Sequence, residues 1–432
     1  MNEQSNYSGT KRRNVRVLVV AVAVVALIVS GFVVYFSSKW GDKPESARVT
    51  EHQFANSWVG GSRQAWVLSG VPEPAEFPLA AKDRHMVVAT KNASAPDGVT
   101  LYGYDINGAD PKLLWTQEVV ANPDLLRQTA IWGNYAVYAG QLIDVVTGEI
   151  VDAPWPDDAQ VSVADYMNGD YAVACVPGGE CAGYSKVLAP LWSIPFEGSD
   201  VSPLADEGGD YFALLYSPGV PDAPAAIVNA ATGETIAVDG DLNDVFDVAP
   251  MTGGWQTFTP ERPRLVLLDG TVENLGPTGP AEGTGDRRLV ITRGDGPTVD
   301  DVRLAVALDR EPGRDQIVGS FDSKTCAFEI NGHGVDLTAQ VSGDGAGTGD
   351  IASGTARGGC NIPVHFFATS SDGNVVAALV YSEEGEVDYV LLDATNGAVL
   401  WRYPMGDGVV PARPNLIVTL GDGHVIGWKP IE

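Results

Sequence analysis

The chain has 432 residues, 27 of them Lys or Arg against 56 Asp or Glu, for a formal charge of −29. That balance excludes bulk binding of nucleic acid or another polyanion, which needs a basic footprint to neutralise phosphate or sulfate. With 44% hydrophobic residues, 19% charged ones and 50 glycines, the composition excludes a disordered chain and points to a folded, turn-rich one.

The first predicted element is a transmembrane helix over residues 17–36, a run without a single charge. At roughly 1.5 Å per residue, a helix of about 20 residues covers the ~30 Å hydrocarbon core. Lys11, Arg12, Arg13 and Arg16 precede it, whereas Lys39 and Lys43 after it are mixed with Asp42 and Glu45. The basic side stays in the cytoplasm. Residues 1–16 are therefore read as a cytoplasmic N-terminus, 37–55 as a linker and 56–432 as an extracytoplasmic domain. Trp40 falls where an amphipathic ring favours the membrane interface. A cleaved signal peptide is the competing reading, but its apolar region is shorter and ends in small residues. This run ends in Phe32-Val33-Val34-Tyr35-Phe36. Without residues 1–36 the charge is −32, so the acidity belongs to the exported part, where it serves solubility.

Four cysteines follow, Cys175, Cys181, Cys326 and Cys360, and an even count on the oxidising side reads as two disulfides. Cys175 and Cys181 bracket Val176-Pro177-Gly178-Gly179-Glu180, a sequence that reverses the chain. Cys326 and Cys360 enclose the Gly-rich run Gly343-Asp344-Gly345-Ala346-Gly347-Thr348-Gly349. A four-thiolate zinc site needs paired cysteines at closer spacing than either pair has.

Beyond residue 50, short β-rich runs recur between Gly, Asp, Asn and Pro, with no long helical periodicity. Met86–Ala89, Ala136–Ala139, Phe212–Tyr216 and Val375–Tyr381 read as buried strands. Many runs are followed by an acid or Asn, a Thr-Gly or Asn-Gly turn and another apolar run. The clearest copy carries Asp393, Gly397 and Trp401; weaker ones carry Asp144, Thr147 and Gly148, or Asn229, Thr232 and Gly233. Degenerate copies lie at Asp105, followed by Trp115, and at Asp269. Gly permits the positive φ of a tight turn, and Asp or Asn bonds the turn's own amides. Asp105 to Asp144 is 39 residues, Asp144 to Asn229 is 85, or two units, and Asn229 to Asp269 is 40. One further copy is expected near Lys186, and later ones near Asn331 and Trp428. A period near 40 with four short strands per unit predicts an all-β propeller of eight four-stranded blades, with seven as the alternative. Its last blade borrows a strand from the chain start, placing Gln64–Leu68 beside Asn415–Leu420.

These segments resemble the quinoprotein-like, or PQQ-like, propeller repeat, in which each blade carries Asp-x-x-Thr-Gly-x-x-x-Trp. Asp393, Gly397 and Trp401 match that spacing; Trp155 falls three residues late after Asp144, and Ala237 stands in place of the Trp after Asn229. The resemblance covers about residues 60–430 as a rhythm and implies that Trp115, Trp155, Trp192 and Trp401 pack between blades. The family's quinone enzymes have an adjacent cysteine pair and a calcium ion. No such pair occurs in this sequence, so the resemblance implies a fold and no quinone cofactor.

Hydrolase signals are thin. His52, His85, His333, His365 and His424 are the only histidines, and no Gly-x-Ser-x-Gly elbow or His-Glu-x-x-His pair is present. Calcium is the one cation the sequence leaves open, with Asp157-Asp158, Asp300-Asp301 and Asp344 with Asp350 as local acid concentrations. The Gly343–Gly349 run lacks the Lys of a phosphate loop. No catalytic or cofactor-binding residue is assigned. The expectation is a membrane-anchored bacterial scaffold or sensor that binds an extracytoplasmic protein or cell-envelope polymer and is more plausibly not an enzyme. The alternative is an extracytoplasmic enzyme acting on carbohydrate in the propeller funnel.

Overall fold

A computed structural model describes residues 53–92, 98–120, 130–163, 171–207, 209–259, 263–275, 287–293, 297–307, 310–322, 327–336, 364–381, 387–405 and 408–431. The expected transmembrane run 17–36, the pair Cys326 and Cys360, and Gly343–Gly349 with Asp350 lie outside the described residues. Among those described, no helix is long and apolar enough to cross a membrane.

The described strands form eight sheets. β1 (Gln53–Phe54) and β2 (Ser62–Ser69) flank a short 3₁₀ turn, Asn56–Gly60. Blade 1 contains β3 (Pro74–Lys82), β4 (His85–Lys91), β5 (Gly98–Asp105) and β6 (Lys112–Val120), and blade 2 contains β7 (Ala130–Trp132), β8 (Tyr135–Tyr138), β9 (Gln141–Asp144) and β10 (Ile150–Val151). Blade 3 is β11 (Gln160–Val163), β12 (Tyr171–Cys175), β13 (Glu180–Ser185) and β14 (Pro190–Pro195). In blade 4 the first strand is split into β15 (Asp200–Val201) and β16 (Ala205–Glu207), followed by β17 (Asp210–Tyr216), β18 (Ala226–Asn229) and β19 (Thr235–Ala237). Blade 5 is β20 (Asp247–Met251), β21 (Gly254–Phe258), β22 (Arg264–Leu267) and β23 (Val272–Asn274). Blade 6 is β24 (Arg287–Thr292), β25 (Gln316–Asp322), β26 (Ala327–Ile330) and β27 (His333–Val335), with helix α1 (Val299–Val306) between its first two strands. Blade 7 is β28 (Val364–Ser370), β29 (Val375–Tyr381), β30 (Val387–Asp393) and β31 (Val399–Pro404). Blade 8 joins β32 (Gly408–Arg413), β33 (Leu416–Gly421) and β34 (His424–Pro430) to β2.

The reason for this layering is visible in the second strands. Successive side chains of a strand point to opposite faces. In β29, Val375, Ala377 and Leu379 join an apolar cluster with blade 8, whereas Val376, Ala378 and Val380 join one with blade 6. In β4, Met86 and Val88 face blade 8, and Val87 and Ala89 face blade 2. A blade sandwiched between two neighbours buries both faces, so its central strand is apolar without alternation. The core is thus a series of clusters, each shared by adjacent blades, rather than one central mass.

Closure follows the expected principle with a different partner. β2 pairs antiparallel with β34, from Ser62 opposite Pro430 to Ser69 opposite His424, and not with the 415–420 segment. The latter forms β33, whose residues Leu416–Leu420 are all buried, so it takes an interior position between β32 and β34. β2 alternates buried Trp66 with exposed Val67 and suits the outer edge. Gln53–Ala55, read as linker from sequence, is already engaged: β1 pairs in parallel with Thr369 and Ser370 of β28. Helix α1 was not expected. Thr298 caps it reciprocally with Asp301, and Val299 and Val302 pack on the cluster of Met251, Leu265 and Leu275 in blade 5.

Cys175 and Cys181 stand opposite each other on β12 and β13 and form a disulfide, with Cα atoms 4.0 Å apart and no solvent exposure. On the chain-entropy model, closing so short a loop stabilises by about 2 kcal/mol. Replacing both cysteines by Ala is therefore expected to lower unfolding free energy by about that amount in urea titrations, with the slope unchanged.

Candidate functional site

The repeat's acids lie at one end of their blades, in the turns between third and fourth strands. Asp144 Oδ1 accepts hydrogen bonds from the amides of Val146 and Thr147, both at 2.8 Å. Asn229 Oδ1 does the same for Ala231 at 2.9 Å and Thr232 at 3.1 Å. Asp393, almost fully buried, accepts from the Thr395 amide at 2.8 Å and from Asn396 Nδ2 at 2.9 Å. Asp105 and Asp269 each hold the amide two residues on, at 2.9 Å. The amides of Gly148, Gly233 and Gly397 return to the carbonyl of the same acid or Asn at 2.8–2.9 Å. Each of these glycines has φ between 75° and 78°. These are Asx turns closed by a left-handed glycine.

The residue after the acid forms a junction that sequence reasoning missed. Ile106, Val145, Ala230 and Ala394 are all buried. Their amides donate at or beside the first turn of their own blade, to the oxygens of Arg84, Asn134, Tyr211 and Asn374 respectively, at 2.8–3.0 Å. Their carbonyls accept from the preceding blade. Trp115 Nε1 donates to Val145 O and Trp192 Nε1 to Ala230 O, both at 2.9 Å. At Ala394 O the donor is Asn331 Nδ2, at 3.0 Å, and at Ile106 O it is Arg413 Nη2, at 3.2 Å. A signal for this junction exists in the sequence: an apolar residue directly after the motif acid, where a surface turn would ordinarily be polar.

The tryptophans need glycines beneath them. A Cβ on Gly103 would stand 2.0 Å from Trp115, and one on Gly148 in the next blade 2.6 Å from it. Trp192 sits likewise over Gly183 and against Gly233. Trp155 donates instead to Gly140 O at 2.8 Å and meets Tyr184 of blade 3 edge-on, 5.7 Å between centroids. Ala237, standing where the repeat has Trp, lets backbone meet backbone: Asp239 N donates to Gly270 O at 2.8 Å. Trp401 stacks on Tyr403 and meets Trp428 of blade 8 edge-on, with its Nε1 unpartnered.

The other expected polar positions scatter. Asp301 is fully buried and caps α1, accepting from Thr292 N and Oγ1, Thr298 N and Gln316 Nε2 at 2.8–3.2 Å. Asp300 pairs with Arg303, which also grips Glu273 with two nitrogens at 2.6 and 2.9 Å. Asp157 and Asp158 are exposed. Among the described residues, no group of three or more His, Cys, Asp or Glu is placed to hold a metal. His85, in β4, is half-buried, and burial followed by the nearby Arg84 lowers its pKa. His333 begins β27, His365 lies in β28 and His424 Nδ1 lies 3.2 Å from Ser69 Oγ, so the histidines sit in different blades. His52 lies outside the described residues.

No protein-family model matches this chain, and no curated protein matches it. Among solved structures it is similar to Sqt1 from Saccharomyces cerevisiae, at 10% identity and TM-score 0.44, over 86% of this chain and 100% of that one. It is similar to Chaetomium thermophilum Sqt1 bound to the N-terminus of ribosomal protein L10, at 11% identity and TM-score 0.43, over 85% and 100%. The Pan2 WD40 domain of Neurospora crassa matches at 11% and 0.36, over 88% and 98%. At these scores the likeness is loose, and the propeller assignment rests on the eight sheets themselves.

Trp115→Phe keeps an aromatic ring but leaves Val145 O without its donor, and is expected to cost about 1–3 kcal/mol, against about 3–5 kcal/mol for Trp115→Ala, by chemical denaturation. Acid should also weaken the fold. The Arg84 hydrogen bond and the Asn107 amide lower the Asp105 pKa, the Thr271 amide lowers that of Asp269, and Arg303 lowers that of Glu273. A depressed carboxyl pKa contributes stability above its unfolded value that is lost as pH falls through the folded one. Unfolding free energy should therefore decline from about pH 5 downward; a pH series of urea midpoints measures it, and a flat profile would contradict these pairings.

Proposed function

We propose that this chain is a membrane-anchored, extracytoplasmic propeller of the quinoprotein-like repeat type that acts as a binding scaffold or sensor for envelope proteins or polymers, without catalysis of its own. The observation that carries the reading is the use made of the acids. Asp144, Asn229, Asp393 and Asp301, the polar side chains the repeat and its insertion single out, hold backbone amides. Each is spent on its own turn or helix cap. A rigid ring whose connections lie at its two ends is suited to presenting loops to a partner.

The compartment rests on two further supports. The Cys175–Cys181 disulfide suits an oxidising environment. The charge-free run 17–36, with four basic residues before it, suits an anchor whose N-terminal side is cytoplasmic.

Protease added to intact cells is expected to digest the bulk of the full-length chain and spare a short N-terminal fragment. Complete protection would overturn the membrane placement. Separately, affinity isolation of the tagged full chain from detergent-solubilised membranes is expected to recover one stoichiometric partner, whereas a chain recovered alone in repeated preparations would overturn the scaffold reading.

A further inference from the structure

The first described residues, Gln53–Gly60, cross the seam between blades 7 and 8. Among the described residues, Gln53 and Phe54 pair in parallel with Thr369 and Ser370 of β28. The Ala55 amide and Trp58 Nε1 both donate to a single oxygen, that of Pro414, each at 2.8 Å. The turn Asn56–Gly60 lies against β29 and β31 of blade 7 and β34 of blade 8. Trp58 is fully buried, in one cluster with Phe54, Phe367, Trp401 and Trp428. Trp401 lies parallel to Tyr403 at 5.9 Å and edge-on to Trp428 at 6.0 Å. This slot therefore has aromatic walls and a carbonyl acceptor on Pro414.

The ring itself is closed by another segment. β2 pairs with β34 at seven positions. Gly61, at φ 93°, joins it to the turn, which ends in Gly60. Two buried aromatic side chains and a few backbone bonds hold the first segment, a seven-pair ladder holds the second, and Gly61 stands between them as a pivot.

We propose that Gln53–Gly60 is a displaceable strap, and that the slot beneath it is a binding site for the same Phe-x-x-x-Trp segment presented by a second copy of this chain. The occupant is fixed by what already fills the slot: Phe54 and Trp58 match its walls, and the Trp58 N–H matches its acceptor. Exchange of an identical element between copies costs little, because the interactions broken within one copy form again between the two. The proposal goes beyond the scaffold reading and does not depend on it, since none of its residues precede Gln53.

The test uses the full-length chain carrying Trp58→Gly and a fluorescent peptide of residues 53–61. The variant is expected to bind the peptide saturably, and the wild-type chain at least tenfold more weakly, because its competent state is only the fraction with the strap lifted. Bound peptide should return amide protection in β29 and β34 to the wild-type level, and a peptide carrying Trp58→Ala should not. A folded variant that binds no peptide overturns the proposal. Should the variant not fold, native-state hydrogen exchange of the wild-type chain decides the question. The amides of Ala55 and Trp58 are expected to exchange at least tenfold faster than those of Trp66–Leu68, and one common rate for strap and β2 would overturn it.

Discussion

A four-stranded blade can bury neither face by itself, and this molecule depends on how each seam between blades is filled. The central strands show the constraint directly: alternate residues of β29 belong to different seams, so every blade contributes to two clusters and owns neither. The seam, more than the blade, is the unit of stability. This explains why Trp66, Trp115 and Trp401 occur on outer strands yet are buried, and why Gly103 and Gly183 must lack a side chain where Trp115 and Trp192 lie over them.

One geometric requirement is met by different chemistry around the ring. The carbonyl after the motif acid, turned toward the preceding blade, takes a donor from Trp115, Trp192, Asn331 or Arg413. What is preserved is a buried acceptor that must be satisfied, because leaving it unpaired costs about 1–3 kcal/mol. Where the requirement is met by Arg413, Trp66 Nε1 is left without a partner. Where Trp is absent after Asn229, backbone meets backbone through the Asp239–Gly270 hydrogen bond; between blades 5 and 6, α1 supplies Val299 and Val302 as filling. The seam between blades 7 and 8 has no continuous turn between third and fourth strands, since β34 and β2 come from opposite ends of the chain. Aromatic packing around Trp58, Trp401 and Trp428 takes its place.

Much of this was legible in the sequence. The acid-to-acid spacing of 39 and 40 residues predicted the repeat, and continuous apolar runs such as Val375–Tyr381 marked central strands, since period-two alternation is lost when both faces are buried. The pairing of Cys175 with Cys181 followed from a chain reversal confined to five intervening residues. Less legible was anything requiring a partner far along the chain. Arg413 and Ile106, or Trp58 and Pro414, are separated by some three hundred residues or more, and no local pattern relates them. For the same reason β2 was assigned to the correct sheet but to the wrong neighbour: hydrophobic content gives a strand's place in a sheet more readily than its register.

By itself, then, the sequence determined the local rules: where strands run, where an Asx turn with a left-handed glycine reverses them, and how often the unit repeats. These depend on a few consecutive residues and on backbone sterics. Only the tertiary structure decided what each blade asks of the next, namely which donor reaches a neighbour's carbonyl, which glycine lies under an indole, and that the first described residues lie across the last seam. Those outcomes arise from close packing between surfaces that the chain brings together only when the ring is complete, and close packing is a property of both surfaces at once.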